Sequence, residues 1–175
     1  MIIGLNGKAR SGKDQFGEYL ITAFNHKQRY FEHMAFATQL KNMCKDHFEL
    51  SDDQLWEKGK NIRETPDKRF PCPDRQGTPP YCLGNRDDGK GLEHMEERKY
   101  WTPREIMQEL GSFYRKINYD YWVYALDKEA KRWGHKDIII TDVRHLNECA
   151  YVKDNNGVLI KIINWEVPFL YNADG

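Results

Sequence analysis

Three consecutive isoleucines inside Asp137-Ile138-Ile139-Ile140-Thr141-Asp142-Val143-Arg144 constrain this chain more than any other segment. A strand with water on one face alternates apolar and polar residues, so an unbroken apolar run reads as a strand buried on both faces. Such strands belong to parallel sheets covered by helices. The same reading applies to Val158 to Ile163, which follows a helical segment from Leu146 to Asn156 stopped by Gly157. It applies again to Met1-Ile2-Ile3-Gly4-Leu5 at the start of the chain, and Tyr30 to Ala37 contains a further short strand. Strands separated by helices predict an α/β fold: a three-layer parallel sheet with helices on both faces. At 175 residues the chain is read as one domain, residues 1–175, with a substantial core.

The helices between these strands carry local signals. Thr38 reads as an N-cap before Leu40, Met43, Cys44 and Phe48, and Ser51 with Gln54 as a capping box for a short helix through Leu55 and Trp56. Thr102-Pro103-Arg104-Glu105 combines an N-cap, proline at N1 and glutamate at N3. Ile106, Met107, Leu110, Phe113 and Tyr114 then supply an apolar face. Asp120 is placed to cap a helix that buries Trp122, Val123, Leu126, Ala130 and Trp133, with Gly134 ending it. Between these segments, residues 65–100 are crowded with Pro66, Pro71, Pro73, Pro79, Pro80, Gly77, Gly84, Gly89 and Gly91, which predicts an irregular insertion or hairpin. Cys72, Cys82 and His94 lie in it, but their spacing matches no zinc knuckle, and an excursion with free thiols is preferred.

The chemistry concentrates at Gly7-Lys8-Ala9-Arg10-Ser11-Gly12-Lys13-Asp14. This segment stands between the first strand and a stretch with helical spacing (Phe16, Tyr19, Leu20, Ala23 and Phe24). Strand, glycine-bounded loop, Gly-Lys and helix is the layout of a phosphate-binding P-loop. Glycines let backbone N–H groups turn onto phosphates without Cβ clashes, and the helix N-terminus adds partial positive charge. Lys13 reaches the β- and γ-phosphates. Position 14 is aspartate, where a hydroxyl residue ordinarily serves Mg²⁺. Asp14 either holds Mg²⁺, directly or through water, or caps the first helical turn. Asp142 ends a buried strand, where open α/β sheets place ligands, and with the loop upstream it reads as a carboxylate for Mg²⁺. Arg144, two residues on, is a candidate for a transferring or acceptor phosphate.

Composition narrows the partners. Lys plus Arg and Asp plus Glu number 27 each, so net charge is zero, which disfavours nucleic acid and anionic membrane as partners. No apolar run approaches the ~20 residues of a membrane-spanning helix. The first strand begins at once, without a signal-peptide pattern, and Cys44, Cys72, Cys82 and Cys149 are scattered. A reduced, cytoplasmic setting is expected. The aromatic residues near Tyr121 have helical spacing and read as core rather than as a base-stacking surface.

Five collinear patches resemble the phage deoxynucleoside monophosphate kinases: the loop with its Gly-Lys-Asp; Ala37-Thr38-Gln39-Leu40-Lys41; Pro103-Arg104-Glu105-Ile106-Met107-Gln108-Glu109-Leu110-Gly111; Tyr121-Trp122-Val123; and Thr141-Asp142-Val143-Arg144. Animal phosphomevalonate kinases share the Ser-Gly-Lys-Asp loop and the Asp-x-Arg strand end, but lack a counterpart to the Met-Gln-x-Leu-Gly helix. The resemblance implies a P-loop, nucleoside monophosphate kinase-like fold and transfer of the ATP γ-phosphoryl group, with Mg²⁺, to a (deoxy)nucleoside monophosphate. Carried over by position, Lys13 and the loop from Gly7 to Asp14 hold ATP, and Asp14 and Asp142 serve the metal. Lys13, Asp142 and Arg144 act in catalysis, while Lys41, Arg104, Gln108 and Arg144 meet the acceptor. A phage-encoded chain would work in the host cytoplasm, and a second copy of the chain is a candidate partner. The family's fifth strand, arginine-bearing lid and final helix find no counterpart before Gly175, and Arg98 and Lys99 are candidate substitutes for the lid arginines. A kinase of another phosphorylated metabolite and a nucleotide-binding module without turnover stay open beside this reading.

Overall fold

The computed structural model describes residues 1–8, 11–56, 60–72, 99–132, 134 and 137–163. Ala9, Arg10, Cys82, His94, Arg98 and Trp133, with most of the expected insertion (73–98), lie outside the described residues. The chain divides into two compact units, Met1–Gln39 with Arg115–Gly175, and Leu40–Tyr114.

Among the described residues, the first unit is built on a four-stranded, all-parallel sheet in the order β2-β3-β1-β4, with β1 Ile2–Gly7, β2 Phe31–Met34, β3 Asp137–Val143 and β4 Val158–Ile162. Helix α1 (Lys13–Asn25) connects β1 to β2, and α7 (Leu146–Asp154) connects β3 to β4. These two crossovers run in opposite directions along the sheet. Right-handed connections then put α1 and α7 on opposite faces. The side chains agree. Ile3, Leu5, Phe31 and Ile139 meet Phe16, Leu20, Ile21 and Phe24 of α1. Ile138 and Ile140 point the other way, into Val152 of α7 and Leu126 of α6 (Tyr121–Arg132). The isoleucine run is thus buried on both faces, and the expected α/β architecture is present.

One face approaches very closely. A Cβ on Gly17 of α1 would stand 2.7 Å from Cγ2 of Thr141, so only glycine lets the helix lie this near β3. The register contains an irregularity with consequences for the site. Gly4 pairs with Ile140 and Asn6 with Val143, so Leu5 faces two residues of β3, Thr141 and Asp142. The extra residue resets the alternation: Ile140 and Val143, three apart, pack in the same cluster. Asp142 is the residue taken out of step.

Several sequence expectations need correction. Tyr19 shares helical spacing with Phe16 but is 67% exposed, while Gly17 is the buried residue of α1. The second strand starts at Phe31, and Tyr30 is exposed. Strand β4 is half-buried with Val158 exposed, because among the described residues it has a neighbour, β1, on one side alone. Asp120 does precede α6, but its Oδ1 accepts from Asn147 Nδ2 at 3.0 Å. Helix α7 ends at Asp154, and Asn156, not Gly157, takes the left-handed conformation. Gly157 is needed for space instead: its Cβ would meet the Val152 and Ile2 carbonyl oxygens at 2.6 and 2.7 Å. Gly134 ends α6 as expected, with a φ of 76°.

The described part of the second unit is mainly helical. The chain enters it within α2 (Ala37–Phe48), continues through α3 (Asp52–Leu55) and α4 (Lys60–Glu64), and leaves it within α5 (Pro103–Ile117). Cys44, Leu50, Leu55, Ile106 and Met107 form its core with Leu40, Phe48, Phe70, Trp101 and Leu110 around them. Burial raises the Cys44 thiol to about 11, which leaves it a packed, protonated side chain. Both expected capping boxes are present. Ser51 N–H donates to Gln54 Oε1 at 2.9 Å and Gln54 N–H to Ser51 Oγ at 3.2 Å. Thr102 N–H donates to Glu105 Oε2 at 2.9 Å and Glu105 N–H to Thr102 Oγ1 at 3.1 Å. Phe113, expected on the apolar face of α5, is 56% exposed. The two ends of the Pro/Gly-rich segment are tied together: Cys72 N–H donates to the Lys99 carbonyl and Trp101 N–H to that of Phe70, both at 2.8 Å.

Candidate functional site

The site follows from the topology of the first unit. Connections leave β1 and its neighbour β3 in opposite directions, so a crevice opens at their carboxyl ends. The loop after β1 and the turn after β3 occupy those two ends. Gly7 closes β1 where space is least: a Cβ there would lie 2.7 Å from both the Ile162 carbonyl oxygen and Ser11 Oγ. Ser11 is almost fully buried, and its N–H donates to the Lys8 carbonyl at 3.2 Å. Gly12 has a φ of 84° and stands at the N-cap of α1. Having no side chain, it cannot itself cap the helix as serine or aspartate would, which suits a helix terminus that meets an anion.

Lys13 folds back over this loop. Its Nζ donates to the carbonyl oxygens of Gly7 at 2.8 Å and Lys8 at 2.6 Å, and approaches Ser11 Oγ at 3.5 Å. Partial burial lowers its pKa below the usual lysine value, and the positive charge of Arg144 lowers it further, against the opposing pull of Asp14 and Asp142. The structure therefore brings Lys13, Arg144, Asp14 and Asp142 into electrostatic range of one another. Asp14 is exposed in the first turn of α1.

Asp142 does more than end a strand. Displaced from the pleat, its Oδ1 accepts from Phe36 N–H at 2.8 Å and its Oδ2 from Ala37 N–H at 2.9 Å. A carboxylate from β3 thus caps the start of α2. This corrects the expected N-cap role of Thr38, which lies inside the helix. The negative charge at a helix N-terminus is favourable in its own right.

Two residues at this end of β3 escaped sequence reading. Asn6 Nδ2 donates to the Val143 carbonyl at 2.9 Å and ties the ends of β1 and β3 together. Glu148, only 3% exposed, accepts from the N–H groups of Arg144 and His145 at 2.6 and 2.9 Å through a single oxygen, Oε2. Burial raises its pKa, the two N–H donors oppose that, and nearby Asp142 adds to the rise. The capping-box spacing His145-x-x-Glu148 was the available signal, hidden by histidine standing where serine or threonine is usual.

The remaining expected site residues belong to the second unit. The Lys41 ammonium lies 4.2 Å from the centroid of the Trp56 ring. Arg104 pairs with Glu64 at 2.6 Å, both side chains about half exposed. Gln108 is exposed on α5.

Among the described residues no group of three or more His, Cys, Asp or Glu side chains is placed to hold a metal ion by itself. The donors present still fit Mg²⁺ delivered on a phosphate ligand. Mg²⁺ keeps several waters and takes one or two protein carboxylates beside phosphate oxygens. Asp142, at the carboxyl end of β3, and Asp14, in the first turn of α1, are carboxylates of that kind.

The parallel sheet with helices on both faces is an α/β architecture consistent with a P-loop, nucleoside monophosphate kinase-like fold. No protein-family model matches the chain. Its sequence is similar to that of an Acanthamoeba polyphaga mimivirus protein described as "Putative deoxynucleotide monophosphate kinase": 29% identical over 176 residues, covering 93% of this chain and 73% of the relative. Among the described residues no helix is long and apolar enough to cross a membrane.

Proposed function

We propose that this chain transfers the γ-phosphoryl group of ATP to a deoxynucleoside monophosphate. The observation that supports the reading is that Lys13, after β1, lies within electrostatic range of Asp142 and Arg144 at the end of the neighbouring strand β3. The name of the mimivirus relative points to the same reaction.

In this mechanism the loop amides and Lys13 bind the β- and γ-phosphates. Lys13 exchanges the carbonyl oxygens of Gly7 and Lys8 for phosphate oxygens. Phosphate, as an anion, favours the charged amine that partial burial disfavours. Mg²⁺, bound with ATP and held through Asp14 and Asp142, would neutralise charge on the phosphates. Arg144 meets the phosphoryl group in transfer, where charge builds up. The acceptor phosphate is already anionic at neutral pH, so positioning matters more than a strong base. Lys41, Arg104 and Gln108 are assigned to the acceptor nucleotide. Drawing Arg104 away from Glu64 costs little, because exposed ion pairs are worth about 0–1 kcal/mol.

The test is ADP release from Mg²⁺-ATP with each of the four common deoxynucleoside monophosphates and with non-nucleotide phosphates. Turnover with a deoxynucleotide, lost in Lys13→Ala without loss of fold, is expected. ADP release with none of these acceptors, or with non-nucleotide phosphates alone, overturns the proposal.

A further inference from the structure

Glu148 is an unusual helix cap. An N3 glutamate can serve its helix from the surface at little cost, yet this one is almost fully buried. Its bond to His145 N–H is the ordinary one of a capping box. The shorter bond goes to Arg144 N–H, which precedes the N-cap and contributes nothing to helix α7. Both bonds converge on one oxygen, so the carboxylate clamps two successive peptide N–H groups from a buried position. Arg144 itself is exposed, with its charge in range of Lys13. The Glu148 clamp therefore fixes the backbone from which the Arg144 side chain departs.

We propose that Glu148 is a positioning residue for Arg144, holding the 144–145 peptide so that the guanidinium meets the phosphoryl group in transfer. The proposal rests on the phosphate role given to Arg144 above. It requires of Glu148 a correctly placed acceptor oxygen rather than direct contact with substrate. Glutamine presents one such oxygen at the same reach, whereas aspartate withdraws it by one methylene.

Steady-state kinetics of Glu148→Asp, Glu148→Gln, Arg144→Ala and the double variant Glu148→Asp/Arg144→Ala test this. A misplacement of about 1 Å costs on the order of 100-fold in rate, so Glu148→Asp should lower kcat by ~10–100-fold with little change in KM for ATP. Glu148→Gln should recover most of that loss. Adding Glu148→Asp to Arg144→Ala should change nothing further, because the effect travels through Arg144. A loss in Glu148→Asp that is equally large in the Arg144→Ala background overturns the proposal, as does a Glu148→Gln variant that folds but is no better than Glu148→Asp. If Glu148→Asp does not fold, Glu148→Gln decides alone: near-normal kcat supports the clamp, and a large loss overturns it. Wild-type kcat in Arg144→Ala would instead refute the phosphate role of Arg144, whereas an impaired Arg144→Ala beside a fully active Glu148→Asp refutes only the role of Glu148.

Discussion

Replacing Asp142 should destabilise the protein as well as inactivate it, and the size of the loss follows from its two bonds. The carboxylate accepts the N–H groups of Phe36 and Ala37 at 2.8 and 2.9 Å, across more than a hundred residues of sequence. Hydrogen bonds to a charged group contribute about 1.5–3 kcal/mol each when the partner is left unsatisfied. Here the bonds are partly buried, so water can replace part of what Asp142→Ala removes. A net loss of about 2–3 kcal/mol is expected, or roughly 4–12 °C in Tm for a chain of this length. Asp142→Asn should recover less than half. Its one carbonyl oxygen can serve one amide, while its Nδ2 donor would face the other N–H. Thermal unfolding followed by circular dichroism measures the global effect, and amide exchange at Phe36 and Ala37 measures the local one. A Tm for Asp142→Ala within about 1 °C of wild type, with unchanged exchange at these amides, would refute the capping role.

Other outcomes follow from single contacts. Lys13 has a pKa below 10.5, and bound polyphosphate should raise it. ATP binding should then take up protons just below pH 10.5 and weaken as pH rises through that range. Calorimetry in buffers of different ionisation enthalpy detects the uptake, and Lys13→Ala should abolish it; equal uptake in both proteins contradicts the assignment. In the second unit, the hydrogen bond from Arg69 leads the causes that pull Asp67 down to about 2. A depressed carboxylate stabilises the fold above its unfolded value near 3.8 and ceases to do so as pH falls through about 2. The stability gap between wild type and Asp67→Asn should therefore narrow from pH 4 to pH 2, as read by urea unfolding. Gly17→Ala should cost about 1–3 kcal/mol by forcing α1 off the sheet. Thr141 cannot readily turn aside, because its Oγ1 is 2.9 Å from His33 Nε2. A neutral Gly17→Ala in denaturant unfolding would mean the helix moves freely.

What was legible in the sequence was local. The isoleucine run, the strand–loop–helix start, and the boxes at Ser51 and Thr102 each declare themselves within a few residues, since period and cap chemistry act over one or two turns. Exposure was less legible. Tyr19 and Phe113 have the spacing of buried positions, but spacing fixes only the direction a side chain leaves its helix, and neither meets a core cluster there. The partners of Asp142 were out of reach for a different reason. They depend on an extra residue in β3 opposite Leu5 and on where β2 delivers Phe36, both of them properties of the assembled sheet.

That dependence explains why the end of β3 carries two carboxylates with different tasks. A parallel strand leaves the sheet at its carboxyl end, and its last peptide N–H groups lose their ladder partners there. Glu148 collects two of these groups, at Arg144 and His145, from the buried side of the turn. Asp142, pushed out of the pleat, collects two more from the neighbouring β2–α2 junction. Burial separates their chemistry. Glu148 is enclosed by the fold and holds backbone N–H groups, whereas Asp142 is half-exposed at the carboxyl end of β3. The same turn thus joins a structural anchor to a candidate cation-facing carboxylate within seven residues, with Arg144 between them. Asp142 contributes to the raised pKa of Glu148, so a substitution at one carboxylate disturbs the other's surroundings, and a double-mutant cycle of the two measures that coupling in turnover.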